Sequence, residues 1–129
     1  MRDANVSSPE YCSIEIAMEV LGGRWKLAIL KQLQSGTHRF GELRRALPHI
    51  TQRMLTRQLR ELEADGLITR AIFPEVPPKV EYSLTDIGHS LDQISESLDT
   101  WGRWYREARS EGLGPSPSRE SPAHGSAAV

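Results

Sequence analysis

The stretch I-T-Q-R-M-L-T-R-Q-L-R-E-L-E-A-D-G-L, residues 50–67, carries two faces at helical spacing. Met54, Leu55, Gln58, Leu59 and Leu62 fall on one side, and Gln52, Arg53, Thr56, Arg57 and Arg60 on the other. Thr51 suits the N-cap, because its hydroxyl accepts a backbone N–H that the first turn leaves unpaired. Gly66 suits the end, because it takes the left-handed conformation that stops a helix. A face of Arg, Gln and Thr matches what a DNA major groove offers. Arg forks onto guanine, Gln onto adenine, and the Thr methyl meets thymine. A solvated basic surface helix has the same composition, so the flanking sequence has to separate the two.

Upstream, Phe40 to Leu47 reads as a short helix with Phe40, Leu43 and Leu47 inward, and Pro48 forces its end. Pro48, His49 and Ile50 then make a short turn into the arginine-bearing helix. Two helices joined in this way, the second bearing a polar reading face, form a helix-turn-helix. The usual glycine in the turn is replaced by Pro48-His49. A helix from about Arg24 to Gln34 is apolar nearly all round and belongs at the domain centre. Thr37-His38-Arg39 is a link able to add a minor strand. Before these, Ile14, Ala17, Met18 and Leu21 mark a short amphipathic helix that Gly22-Gly23 ends. No Lys-Ser/Thr follows the glycine pair at phosphate-loop spacing, so it reads as a turn.

After Gly66 the period changes. Leu67 to Phe73 is rich in strand formers, Pro74 to Pro78 cannot continue a ladder, and Lys79 to Leu84 alternates. This two-stranded hairpin, stiffened at its tip by prolines, follows a reading helix as a wing does. Lys79, with Arg70 beside it, is placed for phosphates flanking the groove, although a hairpin that only shields the core would look alike. Thr85 is a second N-cap, with Asp86 suited to the positive end of the helix. The long helix expected after it places Ile87, Leu91, Ile94, Leu98, Trp101 and Tyr105 at alternating steps of four and three. That rhythm suits a dimer seam, and packing on its own domain is the other use for such a stripe. The fold class expected is mainly α (α+β), a winged helix-turn-helix with a two-stranded wing and flanking N- and C-terminal dimerisation helices.

The bulk properties fit one domain of 129 residues. Residues 1–11 read as a flexible arm, 12–111 as the domain and 112–129, rich in Gly, Pro, Ser and Ala, as a disordered tail. The formal net charge of -1 hides a segregation. Arg39, Arg44, Arg45, Arg53, Arg57 and Arg60 face the single acid Glu42 within residues 39–60, while acids collect at Glu10, Glu15 and Glu19 and again at Asp86, Asp92, Glu96 and Asp99. No apolar run approaches the ~20 residues of a membrane span. The first ten residues lack the apolar core of a signal peptide, which points to the cytoplasm. Catalysis finds no constellation: His38, His49, His89 and His124 are scattered, and no pair sits at metal-site spacing on one helix. No catalytic residue, metal or cofactor is therefore assigned.

Several segments together resemble the HxlR-type group of bacterial transcription regulators, a winged helix-turn-helix branch close to the MarR-like proteins. They are G-G-R-W-K-L-A-I-L (22–30), R-F-G-E-L-R-R (39–45), I-T-Q-R-M-L-T-R-Q-L-R-E-L (50–62), D-G-L-I-T-R (65–70) and V-P-P-K-V-E-Y-S-L-T-D-I-G (76–88). In that order they run from Cys12 to about Trp104. Each is weak alone, and the ordered set is specific. The resemblance implies a homodimer on inverted-repeat operator DNA, with an oxidant or small-molecule effector as a further partner. By the match, Thr51, Gln52, Arg53, Thr56, Arg57 and Arg60 are the reading face, with Arg39 beside them and Lys79 as a wing contact. It also assigns the dimer interface to the first and last helices, hence Ile14, Met18, Leu91, Ile94, Leu98, Trp101 and Tyr105. Two departures stand out: Ser13 where the family commonly has Pro, and Thr51 where it commonly has Ser. Thr keeps the hydroxyl cap and adds a methyl.

Cys12 is the only cysteine, so one chain alone forms neither a disulfide nor a cysteine zinc site. Some HxlR-type members sense oxidants, quinones or aldehydes through a cysteine near this position. By that resemblance Cys12, with Ser13 expected to cap the helix behind it, is a candidate redox sensor, through an intersubunit disulfide or a thiolate adduct. A small inert side chain at a subunit contact is the competing role. A winged helix used for protein contact is the competing function for the whole chain. Steep salt dependence and sequence selectivity separate DNA binding from it.

Overall fold

The computed structural model describes residues 12–112, so the arm of residues 1–11 and the tail after Gly112 lie outside the described residues. The element order is α1 (Ser13–Leu21), α2 (Lys26–Leu33), β1 (His38–Arg39), α3 (Phe40–Ala46), α4 (Gln52–Ala64), β2 (Ile68–Phe73), β3 (Lys79–Leu84), α5 (Asp86–His89) and α6 (Asp92–Ser110). The chain divides between Ser90 and Leu91 into two compact units.

In the first unit, Ile29, Leu30 and Leu33 of α2, Leu43 of α3, and Leu55, Leu59 and Leu62 of α4 are buried, joined by Ile50, Leu67, Ile68 and Tyr82. Burying each large aliphatic side chain contributes about 1.5–3 kcal/mol, and Leu43, Leu55, Leu59 and Leu62 come from the inward faces expected of α3 and α4. The turn between α3 and α4 closes through the Ile50 N–H, which donates to the Leu47 carbonyl at 3.1 Å. Ile50, 2% exposed, plugs the turn from inside. A buried apolar residue there supplies what a glycine turn leaves to backbone geometry.

The sheet has three strands in the order β1-β3-β2, both pairings antiparallel. The hairpin keeps the register Phe73↔Lys79 to Ile68↔Leu84. The link Thr37–Arg39 does add a strand, through His38↔Tyr82 and Arg39↔Glu81. Thr37 Oγ1 and Ser83 Oγ lie 2.7 Å apart and pin its start. The wing remains the two-stranded hairpin expected, and the minor strand β1 extends its sheet to three.

Two expectations need correction. The long helix after Thr85 is broken: α5 ends at His89, and α6 starts at Asp92 with Leu91 as its N-cap residue. Ser90 Oγ donates to the Ile87 carbonyl at 2.5 Å, taking up a backbone acceptor that a continuing helix would use. Ile87 therefore does not share a helix with the stripe that runs from Leu91 to Tyr105. The second correction is at α1, where Cys12 and not Ser13 is the N-cap. Cys12 has extended geometry (φ -66°, ψ 146°), and its N–H donates to Glu15 Oε1 at 3.2 Å. Ser13 already lies in the first turn.

The second unit is described by α6. Trp101 stacks on Tyr105, with centroids 5.0 Å apart and rings tilted by 13°. Asp99 pairs with Arg103 one turn on. Ile94, Leu98, Trp101 and Tyr105 each leave between 42% and 48% of their surface exposed. Gly112, read from composition as the first tail residue, closes the helix with φ 80°, its N–H donating to the Arg109 carbonyl at 3.1 Å.

Candidate nucleic-acid interface

The arginine helix is built from both ends. Thr51 holds extended geometry, and its hydroxyl accepts the Met54 N–H at 3.0 Å. Gly66 at φ 81° ends the helix, and its N–H donates to the Glu63 carbonyl. Leu55, Gln58, Leu59 and Leu62 are buried and Met54 half-buried. That burial fixes the rotation of α4, so the opposite face has to look outward.

On that face Gln52, Arg53, Thr56, Arg57 and Arg60, joined by Glu61, line an open concavity of about 750 Å³. All but Thr56 and Glu61 are exposed. Thr51 sits at the N-terminus of the same helix, where the unpaired N–H groups carry partial positive charge. The sequence-predicted reading face is thus one continuous surface. A smaller recess of about 190 Å³ lies where Thr56, Leu59, Arg60 and Glu63 meet Arg70 and Tyr82 of the wing. Burial pushes the Tyr82 phenol above the ordinary tyrosine range, with Arg70 and Arg60 acting against it.

The two predicted flanking cations differ. Arg39 is exposed at the junction of β1 and α3, where its own N–H donates to Glu42 Oε1 at 2.8 Å. That hydrogen bond, more than the neighbouring cations, holds the Glu42 carboxyl below its ordinary range. Lys79 does not line the concavity. Its ammonium lies 3.8 Å from Glu75, 3.7 Å from Glu81 and 4.7 Å from the centre of the Phe73 ring. A lysine held among two carboxylates and a ring presents less charge to phosphate than its sequence position suggests. Arg70 pairs with Glu63 of α4 at 3.3 Å and so ties wing to helix.

Sequence reading missed one constellation. Lys26, at the start of α2, is 2% exposed, and its Nζ meets Glu61 Oε1 at 2.7 Å. Glu61 Oε2 lies 3.7 Å from Arg57 Nε. The only sequence signal was a lysine opening an otherwise apolar helix, with an acid one turn after an arginine on another.

The residues assigned by resemblance to a dimer interface lie on the first and last helices. On α1, Ile14 is 70% and Met18 53% exposed, which is high for large apolar side chains. On α6 the large apolar side chains left exposed are Ile94, Leu98, Trp101 and Tyr105, and Leu91 just before the helix is half-buried. Cys12 is an exposed free thiol. Among the described residues no helix is long and apolar enough to cross a membrane.

Comparison with known proteins agrees with this geometry. A family model described as HxlR-like helix-turn-helix matches residues 20–110. An HTH-type transcriptional regulator of Methanothermobacter thermautotrophicus is 51% identical over 102 residues, which is 78% of each chain. The HTH-type transcriptional regulator YybR of Bacillus subtilis is 48% identical over 108 residues, 81% of this chain and 86% of its own. Among solved structures, the redox regulator HypR in its oxidised form is 49% identical, with a TM-score of 0.69 over 72% of this chain and 96% of that one. HypR in its reduced form gives a TM-score of 0.73 at 46% identity, over 78% of this chain and 99% of that one. The winged helix-turn-helix fold and these relatives converge: the chain belongs to the HxlR-like helix-turn-helix family of transcriptional regulators.

Proposed function

We propose that the protein acts in the cytoplasm as a homodimer on inverted-repeat operator DNA, with α4 of each subunit in a major groove. Thr51, Gln52, Arg53, Thr56, Arg57 and Arg60 meet bases and adjoining phosphates, Arg39 meets a flanking phosphate, and Lys79, drawn toward Glu75 and Glu81, adds a weaker contact of the same kind. The reading rests on one observation: a helix locked in rotation by its buried face turns three arginines, a glutamine and a threonine into one open concavity. Pairing of subunits is supported by the apolar side chains left exposed on α1 and α6. The test is selection of duplexes from a random-sequence pool by the full-length protein, followed by fluorescence anisotropy on the recovered and scrambled duplexes at two salt concentrations. An inverted repeat bound selectively, with affinity falling steeply as salt rises, is expected. A pool that yields no sequence would reassign the basic face to an acidic protein partner.

A redox-responsive form of this reading has its own support. The similar regulator HypR is known in oxidised and reduced forms, and Cys12 here is exposed at the start of α1. Two Cys12 thiols, one from each subunit, would lose two protons and two electrons to an oxidant such as diamide and form an intersubunit disulfide. Diamide is expected to change binding of the selected duplex and to leave a Cys12→Ser variant unaffected. An identical response from both would leave Cys12 structural and turn attention to other small-molecule effectors.

A further inference from the structure

Lys26 is the most deeply buried charge among the described residues, and its partner Glu61 lines the arginine concavity. Taking an ammonium and a carboxylate out of water costs more than their attraction commonly returns, and apolar replacements of such pairs are often as stable. Stability alone is a weak reason for the pair. Its geometry offers a better one. Glu61 Oε1 is held by Lys26 from beneath at 2.7 Å, and Oε2 is turned toward Arg57 Nε at 3.7 Å. Arg57 is 71% exposed, and so long and so little packed a side chain keeps much of its rotational freedom unless a neighbour restrains it.

We infer that Glu61, fixed and charge-compensated by Lys26, is a positioning residue that presets Arg57 for sequence reading. This rests on the DNA-binding reading above. An ion pair made at Nε leaves both terminal nitrogens available for the end-on fork that grips the two acceptors of guanine. Arg57 then loses less rotational freedom on binding. A bare carboxylate beside Arg53, Arg57 and Arg60 would also repel phosphate. With Lys26 beneath it, the Glu61 charge is largely cancelled within the protein. Lys26 and Glu61 therefore act through Arg57 and touch no base themselves.

The test uses the full-length protein, the duplex recovered by selection and its scrambled counterpart. Discrimination, the ratio of the two affinities, is measured for the wild type, Glu61→Gln, Arg57→Ala, the Arg57→Ala/Glu61→Gln double variant and the Lys26→Met/Glu61→Gln double variant. Melting curves verify that each is folded. Glu61→Gln is expected to lose discrimination on the order of tenfold while binding the scrambled duplex as well as or better than wild type. That combination is one that a loosened fold would not give. Adding Glu61→Gln to Arg57→Ala is expected to cost no further discrimination, because the two act as one device. Lys26→Met/Glu61→Gln, without charge at either site, should match Glu61→Gln alone. Wild-type discrimination in Glu61→Gln, additive losses with Arg57→Ala, or equal weakening on both duplexes would each overturn the inference while the DNA-binding reading stands. A wild-type protein that selects no sequence would overturn both, and that arm alone reveals it.

Discussion

Thr85 is tied to Gly66: its hydroxyl donates to the Gly66 carbonyl at 2.7 Å and accepts the Gly88 N–H at 3.0 Å. One side chain thus joins the residue that ends α4 to the first turn of α5, with Thr85 itself 19 positions beyond Gly66. The Thr85 N–H also donates to the Leu67 carbonyl, at 3.1 Å. The wing is clasped at its base, and its two strands leave the helix in a fixed direction.

Gly88 packs against the same clasp. A Cβ placed there would lie 2.2 Å from the Leu67 carbonyl oxygen and 3.0 Å from Leu84. Because the obstacle is backbone, Gly88→Ala should destabilise by about 1–3 kcal/mol, read as a lower denaturant midpoint. An unchanged midpoint would mean that β2 and α5 separate freely.

Thr51→Ala removes the hydroxyl that accepts the Met54 N–H, and should cost ~1 kcal/mol in equilibrium unfolding. Thr51→Ser should recover most of that. If Ala and Ser behave alike, the cap hydroxyl contributes nothing and water replaces it.

Gln58 is 9% exposed, and among the described residues its Oε1 meets no hydrogen-bond donor, while Nε2 reaches Met54 Sδ at 3.7 Å. Leaving a buried acceptor unmet costs about 1–3 kcal/mol. Gln58→Leu should therefore raise the melting temperature. A fall would show that the amide meets a partner in solution.

Arg57→Ala should weaken binding to the selected duplex by ~1–3 kcal/mol and relax preference at one base pair in each half-site. Anisotropy against single-base variants of the duplex measures both. Equal loss at every position would mark Arg57 as a phosphate contact.

Trp101→Ala should shift the protein toward monomer, since truncating a large buried aromatic is a common way to empty an interface hot spot. Light scattering across a dilution series reads the shift. An unmoved dimer mass would place the stripe from Leu91 to Tyr105 outside the subunit contact.

Much of this was legible before any coordinates. The boundaries of α4, the caps at Thr51 and Thr85 and the inward set from Leu55 to Leu62 all follow from spacing and local chemistry, which a sequence displays directly. Three features were not. The break at Ser90 escaped notice because Ile87 and Leu91 keep helical spacing, and periodicity does not register a hydroxyl that takes a backbone carbonyl. The quieting of Lys79 depends on Glu75 and Glu81 being folded back on it by the hairpin. The Lys26–Glu61 pair joins residues 35 positions apart, and a lysine beside a tryptophan on an apolar helix reads as a surface residue until burial is known.

The break between α5 and α6 also has a consequence for descent with modification. Every residue assigned to base or phosphate contact lies before Ser90, and the whole aromatic stripe lies after it. If the stripe pairs subunits as proposed, a mutation in it that changes the partner chain alters no residue of α4, its caps or its clasp. On that reading, gene duplicates would be able to stop exchanging subunits before their DNA preferences diverge, one of the simplest routes by which a single regulator becomes two.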